Sequence, residues 1–486
     1  MNSALVLIGF AALVALLLGI AARRGKKMGM EQWAVGGRGF GWIFVFLLLA
    51  GEIYTTFTFL GASGFAYGLG APAYYIIAYG TLAYIIAYFM LPPIWRYARD
   101  HALHSQPDFF IRKYNSQALG ALVSLVDLIA LIPYLVLQLT GLGIIVVAAG
   151  YGAVSKDVAV WIGAAIVTVY VMVSGIHGSA WTSVVKDILI LVVVLFLGIY
   201  LPVTLYGGIG PMFEKIDAAK PGFLVFAASG QSVAWFVSTV LLTAVGFFMW
   251  PHSFVACYTA KDERVFRRNA IVLPIYQLVL LFVFFVGFAA VLQVPGLKGA
   301  DTNLALFKLV TQQFSPAVVG IIGAAGVFTA LVPGSLITMT AAMLLAKNVA
   351  GLVRPNATDA QHVGLAKLLV PVVMLVAVYF TLTGSATIVA MLLLGYSFVT
   401  QLFPAVIASL TPRNPATAVG VFAGILVGVA VTAILTFTKT TVGSLFPELP
   451  EVVRDLNVGI IALVANVVVM VGVSAVTRSG VEAARA

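Results

Sequence analysis

Thirteen stretches of this chain are each long and apolar enough to cross a bilayer, and that repetition leaves few folds open. A span needs about twenty apolar residues. The candidates run over 3–22, 40–67, 71–95, 117–150, 157–175, 180–206, 233–250, 269–294, 315–349, 363–384, 386–410, 417–438 and 458–476. Only 9% of the 486 residues are charged, whereas a soluble chain carries roughly 25% to keep its surface wet. Lipid must therefore cover most of the outside. The fold class is an all-α integral membrane protein, a single domain over 1–486 with no soluble module.

The +10 net charge sits in short loops between the apolar runs: Arg23, Arg24, Lys26 and Lys27; Arg96 and Arg99; Arg112 and Lys113; Lys261, Arg264, Arg267 and Arg268. Nucleic acid would need a continuous soluble basic surface, which is missing. Such clusters mark the cytoplasmic side of a membrane protein. The first run has its basic residues after it, so it reads as a retained span with its N-terminus outside, not as a signal peptide. Thirteen crossings then leave the C-terminus inside. Only Lys156, Lys215, Lys220, Lys298, Lys308, Lys439 and Arg454 fall on the opposite face. The longest outer connection, 207–232, should hold a short surface helix.

Several activities are excluded or disfavoured. A P-loop is absent, so the chain carries no ATP-hydrolysing site of that type. Cys257 is the sole cysteine, which rules out a disulfide framework or a cysteine-ligated cluster. The histidines (101, 104, 177, 252, 362) fall at cytoplasmic ends or loops, where no pair brackets a membrane haem. His101 and His104 read as loop surface. No enzyme, catalytic residue, metal site or cofactor is expected.

Polar residues interrupt two spans. The second carries Gly51, Glu52, Tyr54, Thr55, Thr56, Thr58, Gly61, Ser63 and Gly64 at mid-membrane depth. Close packing of small residues would explain some of them, but a buried carboxylate favours a broken helix whose freed backbone groups face a cavity. The ninth carries Val332-Pro333-Gly334-Ser335 and Thr338, where Pro333 removes a helical N–H. A simple kink and a functional bend are both open there. Asp127 and Gln138 lie in the fourth span, Lys186 and Asp187 in the sixth, and Gln401 in the eleventh. Adjacent residues point about 100° apart on a helix, so Lys186 and Asp187 need not pair. Asp187 reads as snorkelling to the interface, and Lys186 is open between snorkelling and function. Gln138 and Gln401 either contact solute or staple neighbouring helices.

These residues resemble the sodium:solute symporter family over about 31–420. The marks are Glu31-Gln-Trp-Ala-Val-Gly-Gly-Arg38, Gln106-Pro-Asp-Phe-Phe110 with Arg112, Gly175-Ile-His-Gly-Ser-Ala-Trp-Thr-Ser183 and Trp250-Pro-His252. The resemblance implies a LeuT-type fold: a five-helix repeat over 40–206, its inverted copy over 233–410, one helix before (within 1–39) and two after (417–486). It implies cation-coupled alternating access by a single chain. Segment 51–61, with Pro274 to Phe285, is most similar to bacterial monocarboxylate permeases, which implies lactate, pyruvate and similar acids as substrates and the inner membrane as the location. Another small solute, such as an amino acid, is the alternative; a channel or a sensory membrane protein is the reading from a different class.

By that resemblance, substrate contacts fall on Gly51, Tyr54, Thr55, Thr56, Thr58, Gln138 and Gln401. Freed N–H groups and threonine hydroxyls can hold a carboxylate without an arginine. The family holds sodium between carbonyls of the broken second span, here near Gly51 and Tyr54, and two hydroxyl residues of the ninth. Those positions are Val332 and Pro333, which have no hydroxyl, while Lys186 stands one turn after Ser183. The preferred reading places the Lys186 ammonium in the cation region and couples transport to protons, with Glu52, Asp127 and Asp187 as other carriers. A sodium site rebuilt from Ser335, Thr338 and carbonyls is the alternative.

Overall fold

The computed structural model describes residues 2–23, 29–51, 53–354 and 356–483. Among them the chain is helical, with a single isolated bridge between Phe40 and Ala260. The described residues of the thirteen apolar stretches are mostly helical. Ten helices among the described residues are long and apolar enough to cross a membrane, and the bent pair Val233–Met249 with Pro251–Tyr258 makes an eleventh. The helix Lys156–Tyr206 leaves helical geometry at Gly175 (φ 58°, ψ −159°), which divides it into the fifth and sixth spans. A side chain at Gly175 would also meet Trp33 at 2.7 Å, so only glycine suits both the dihedral and the contact. The second stretch is two shorter helices, Trp42–Gly51 and Phe57–Leu69.

The loops meet on two faces. On the basic face, Phe40 and Thr259–Lys261 exchange backbone hydrogen bonds of 2.9 and 3.0 Å, joining the loops before the second span and after the seventh. On the opposite face, Tyr67 donates to the Val294 carbonyl at 2.6 Å, and Asp455 accepts from Gly230 at 2.8 Å. The connection after Tyr206 forms the helix Ile209–Ala219, with Met212 and Ile216 buried. The first helix packs on the ninth span and on the fifth–sixth helix. The last two spans pack on each other, where Gly420, Gly424 and Gly428 leave no room for a Cβ against Ser474, Met470 and Asn466. Small residues at four-residue spacing let membrane helices approach closely.

The breaks are placed differently from the sequence reading in one respect. The second span opens as expected: Ile53 to Thr55 are non-helical, and the helix resumes with a π-turn over Phe57–Ala62. The ninth does not open at Pro333. Helix Pro316–Met343 runs through it, buried almost throughout. Ser335 and Thr338 return their hydroxyls to the Val332 and Gly334 carbonyls at 2.6 and 2.7 Å, and packing on every side leaves the proline nowhere to turn. The second break lies in the seventh span. Trp250 is extended (φ −61°, ψ 127°), and the halves meet at 49°. A residue before proline is steered away from the α region, and Pro251 then begins the next half, where its missing N–H costs nothing.

Candidate functional site

Three threonines at the opening in the second span have separate tasks. Thr55 accepts from the Phe57 N–H at 3.1 Å, and Thr58 both accepts from the Thr55 N–H and donates to the Thr55 carbonyl at 3.0 Å. These two side chains satisfy backbone groups released by the break. Thr56 is different: its N–H points to Gln138 Oε1 at 3.4 Å, while its hydroxyl and Gln138 Nε2 are buried without a hydrogen-bond partner. Two donors are thus left open at one place, with Gly334 beside them, since a Cβ there would lie 3.8 Å from that of Gln138. Buried donors without partners are rare in proteins and are suited to an acceptor such as a carboxylate.

A few residues before Thr56, the Lys186 ammonium donates to the Tyr54 carbonyl at 3.2 Å and lies 3.0 Å from Asp187 Oδ1. Both side chains are buried. A Cβ on Gly51 would lie 3.5 Å from Lys186 Nζ and 3.7 Å from Ser183 Oγ. The lysine therefore reaches into the break of the second span. Asp187 does not snorkel, and the two do pair: flexible side chains overcome the 100° offset because a lone carboxylate at this depth would be costly. Tyr54 packs edge-on against Tyr276 (4.9 Å between centroids) and donates to its carbonyl at 3.3 Å. Ser179, one turn before Ser183 on the same helix, lies 2.9 Å from Ser335 Oγ.

Other expected residues lie elsewhere. Gln401 donates to the Ser397 and Gly459 carbonyls at 3.0 and 3.5 Å and accepts from Asn466 at 3.1 Å. It staples the eleventh span to the thirteenth and is not brought to the break. Asp127 is buried, both oxygens unpartnered, and shares a helix face with Tyr134, whose ring lies tilted against Trp250 with centroids 4.8 Å apart. Glu52 lies outside the described residues. Among the described residues no three His, Cys, Asp or Glu side chains gather as a metal site.

Sequence reasoning missed a network on the basic face. Arg38, at φ 52°, is held in the left-handed region by Glu31 at 3.0 Å and the Leu103 carbonyl at 2.6 Å. His104 Nε2 lies 2.7 Å from Glu31, so His104 is not loop surface. Asp108 caps its own helix through Ser105 and pairs with Lys347 and Asn348 from the ninth span. Burial lowers the His104 pKa, with Lys347 adding to the effect against Glu31 and Asp108. Burial pushes Asp108 up, yet Lys347 and the capping donors hold it below the usual range. The spacing Glu31–Arg38 and the Ser105–Asp108 capping box were the available signals.

A match to the sodium:solute symporter family covers residues 33–428. An uncharacterized symporter of Bacillus subtilis, YhjB, is 62% identical across 100% of this chain and 99% of its own length. A monocarboxylate transport permease protein of Rhizobium johnstonii is 28% identical over 94% of each chain. Among solved structures, a Na+-coupled sialic acid symporter in an outward-open, substrate-bound state superposes with TM-score 0.79 at 17% identity, covering 98% of each chain. With its helices broken in the second and seventh spans and its match across most of its length, the chain belongs to the sodium:solute symporter family.

Proposed function

We propose that this symporter-family protein takes up small monocarboxylates with protons across a bacterial inner membrane, its basic face in the cytoplasm. The observation that carries the reading is the Lys186 ammonium on the Tyr54 carbonyl: a fixed cation stands in the break where a mobile one would be bound. The open donors of Thr56 and Gln138 supply a seat for a carboxylate, and the Rhizobium relative's name supports that substrate class. Lys186 bridges the second span to the sixth and balances Asp187; a proton passing through this pair would loosen the hold on the Tyr54 carbonyl and free the broken helices to rock against the scaffold, as alternating access requires.

The test is uptake of labelled lactate or pyruvate into proteoliposomes under an imposed proton or sodium gradient. Accumulation driven by protons without sodium is expected. Acceleration by sodium alone would remove Lys186 from the coupling role, and uptake of neither acid under any gradient would reject the substrate class.

A further inference from the structure

Two hollows on the basic face, of about 710 and 630 Å3, adjoin each other and share Arg354 and His362. They lie between the helix Gln106–Tyr114, the end of the ninth span and the turn leading to the tenth. Arg112 lines the larger hollow and Arg354 both. Neither guanidinium is paired with a carboxylate among the described residues, while the neighbouring Lys347 is neutralised by Asp108. The turn beside Arg354 exposes Leu352 (53%) and Val353 (85%). Paired concavity, two uncommitted guanidiniums and an apolar edge at the end of a span differ from the scattered charges that orient a membrane protein.

We propose that this cleft binds the phosphodiester headgroup of an anionic phospholipid. Arginine's planar fork matches phosphate oxygens, and basic pockets between spans at the cytoplasmic side take such headgroups. Leu352 and Val353 then lie against the acyl chains. The proposal uses the orientation given above but neither the substrate nor the coupling ion. Bound lipid would brace the turn after Lys347, whose pairing with Asp108 ties the ninth span to the basic face.

The experiment is native mass spectrometry and thermal unfolding of the full-length protein in detergent, with phosphatidylglycerol, phosphatidylcholine or inorganic phosphate added. Phosphatidylglycerol should be retained and raise the unfolding temperature, and phosphatidylcholine should not. Arg112→Gln and Arg354→Gln should each weaken retention about fivefold, and Val353→Asp should weaken it without altering the response to phosphate. These residues are exposed, so folding should survive the changes. Equal stabilisation by inorganic phosphate would overturn the lipid in favour of a soluble anion. Retention unchanged in the double arginine variant would overturn the site.

Discussion

The hydroxyls of Ser179 and Ser335 lie 2.9 Å apart, linking the sixth span to the ninth beside the break in the second. Ser335 Oγ also lies 2.6 Å from the Val332 carbonyl, and a sodium ion on Ser335 would compete with both contacts. Ser335→Ala should leave proton-driven uptake within about twofold and cost about 1 kcal/mol of stability, the usual worth of one hydrogen bond. Uptake assays and thermal unfolding check this; a tenfold loss of uptake with normal stability would place Ser335 in an ion site.

Lys186 and Asp187 form a buried pair in which each charge depends on the other. Removing one partner from such a pair costs about 3–5 kcal/mol. Lys186→Met and Asp187→Asn should therefore each destabilise strongly, while the double variant should lose less than the sum. Unfolding of all four proteins measures the coupling, and additivity would mean that the pair is not formed in the membrane. Lys186→Gln should in addition remove the dependence of uptake on the pH gradient.

Thr55 and Thr56 are neighbours with different work. Thr56→Val removes an open hydroxyl, so it should raise the half-saturation concentration about tenfold, by analogy with a lost polar contact of 1–2 kcal/mol, with insertion and stability unchanged. Thr55→Val instead strips a partner from the Phe57 N–H and should lower stability. Substrate titrations and melting curves separate the two effects.

Spans were readable from the chain because a bilayer demands long apolar runs, and loop charge ordered them. The opening at Gly51–Thr55 was readable because glycine, threonine and glutamate have few other reasons to meet at that depth. Pro333 and Pro251 show where reading failed. Each removes one N–H, but at Pro333 the Ser335 and Thr338 hydroxyls take carbonyls of the same turn and the helix continues, whereas at Pro251 the buried Trp250 is extended and the helix breaks. Local sequence records the lost donor, and only packing decides whether the helix yields. The pairing of Lys186 with Asp187 was hidden for a similar reason: backbone direction is legible, but the reach of two flexible side chains is not. Gln401 had its amide partners in Asn466 and Gly459, 65 and 58 residues downstream.

His104 makes the basic-face network sensitive to pH. Its pKa in the folded protein lies below the ordinary 6.5, so its contribution is complete above pH 6.5 and declines as acid protonates the unfolded chain first. Asp108 is also held low, so its contribution persists above its ordinary 3.8 and is lost only in stronger acid. The unfolding temperature should therefore fall from pH 7.5 to 5.5, and His104→Asn should flatten that decline. An unchanged slope in the variant would assign the effect to other groups.

Gly141 has a consequence for the solute seat. A methyl group there would stand 1.7 Å from Thr56 Cγ2, so the fourth span touches the opened segment through bare backbone. The distance between Thr56 and Gln138 is thereby gauged by an atom that is missing. Any larger residue at 141 would push the two donors apart, so under the proposed function Gly141→Ala should change which acid is taken up although position 141 itself meets no cargo.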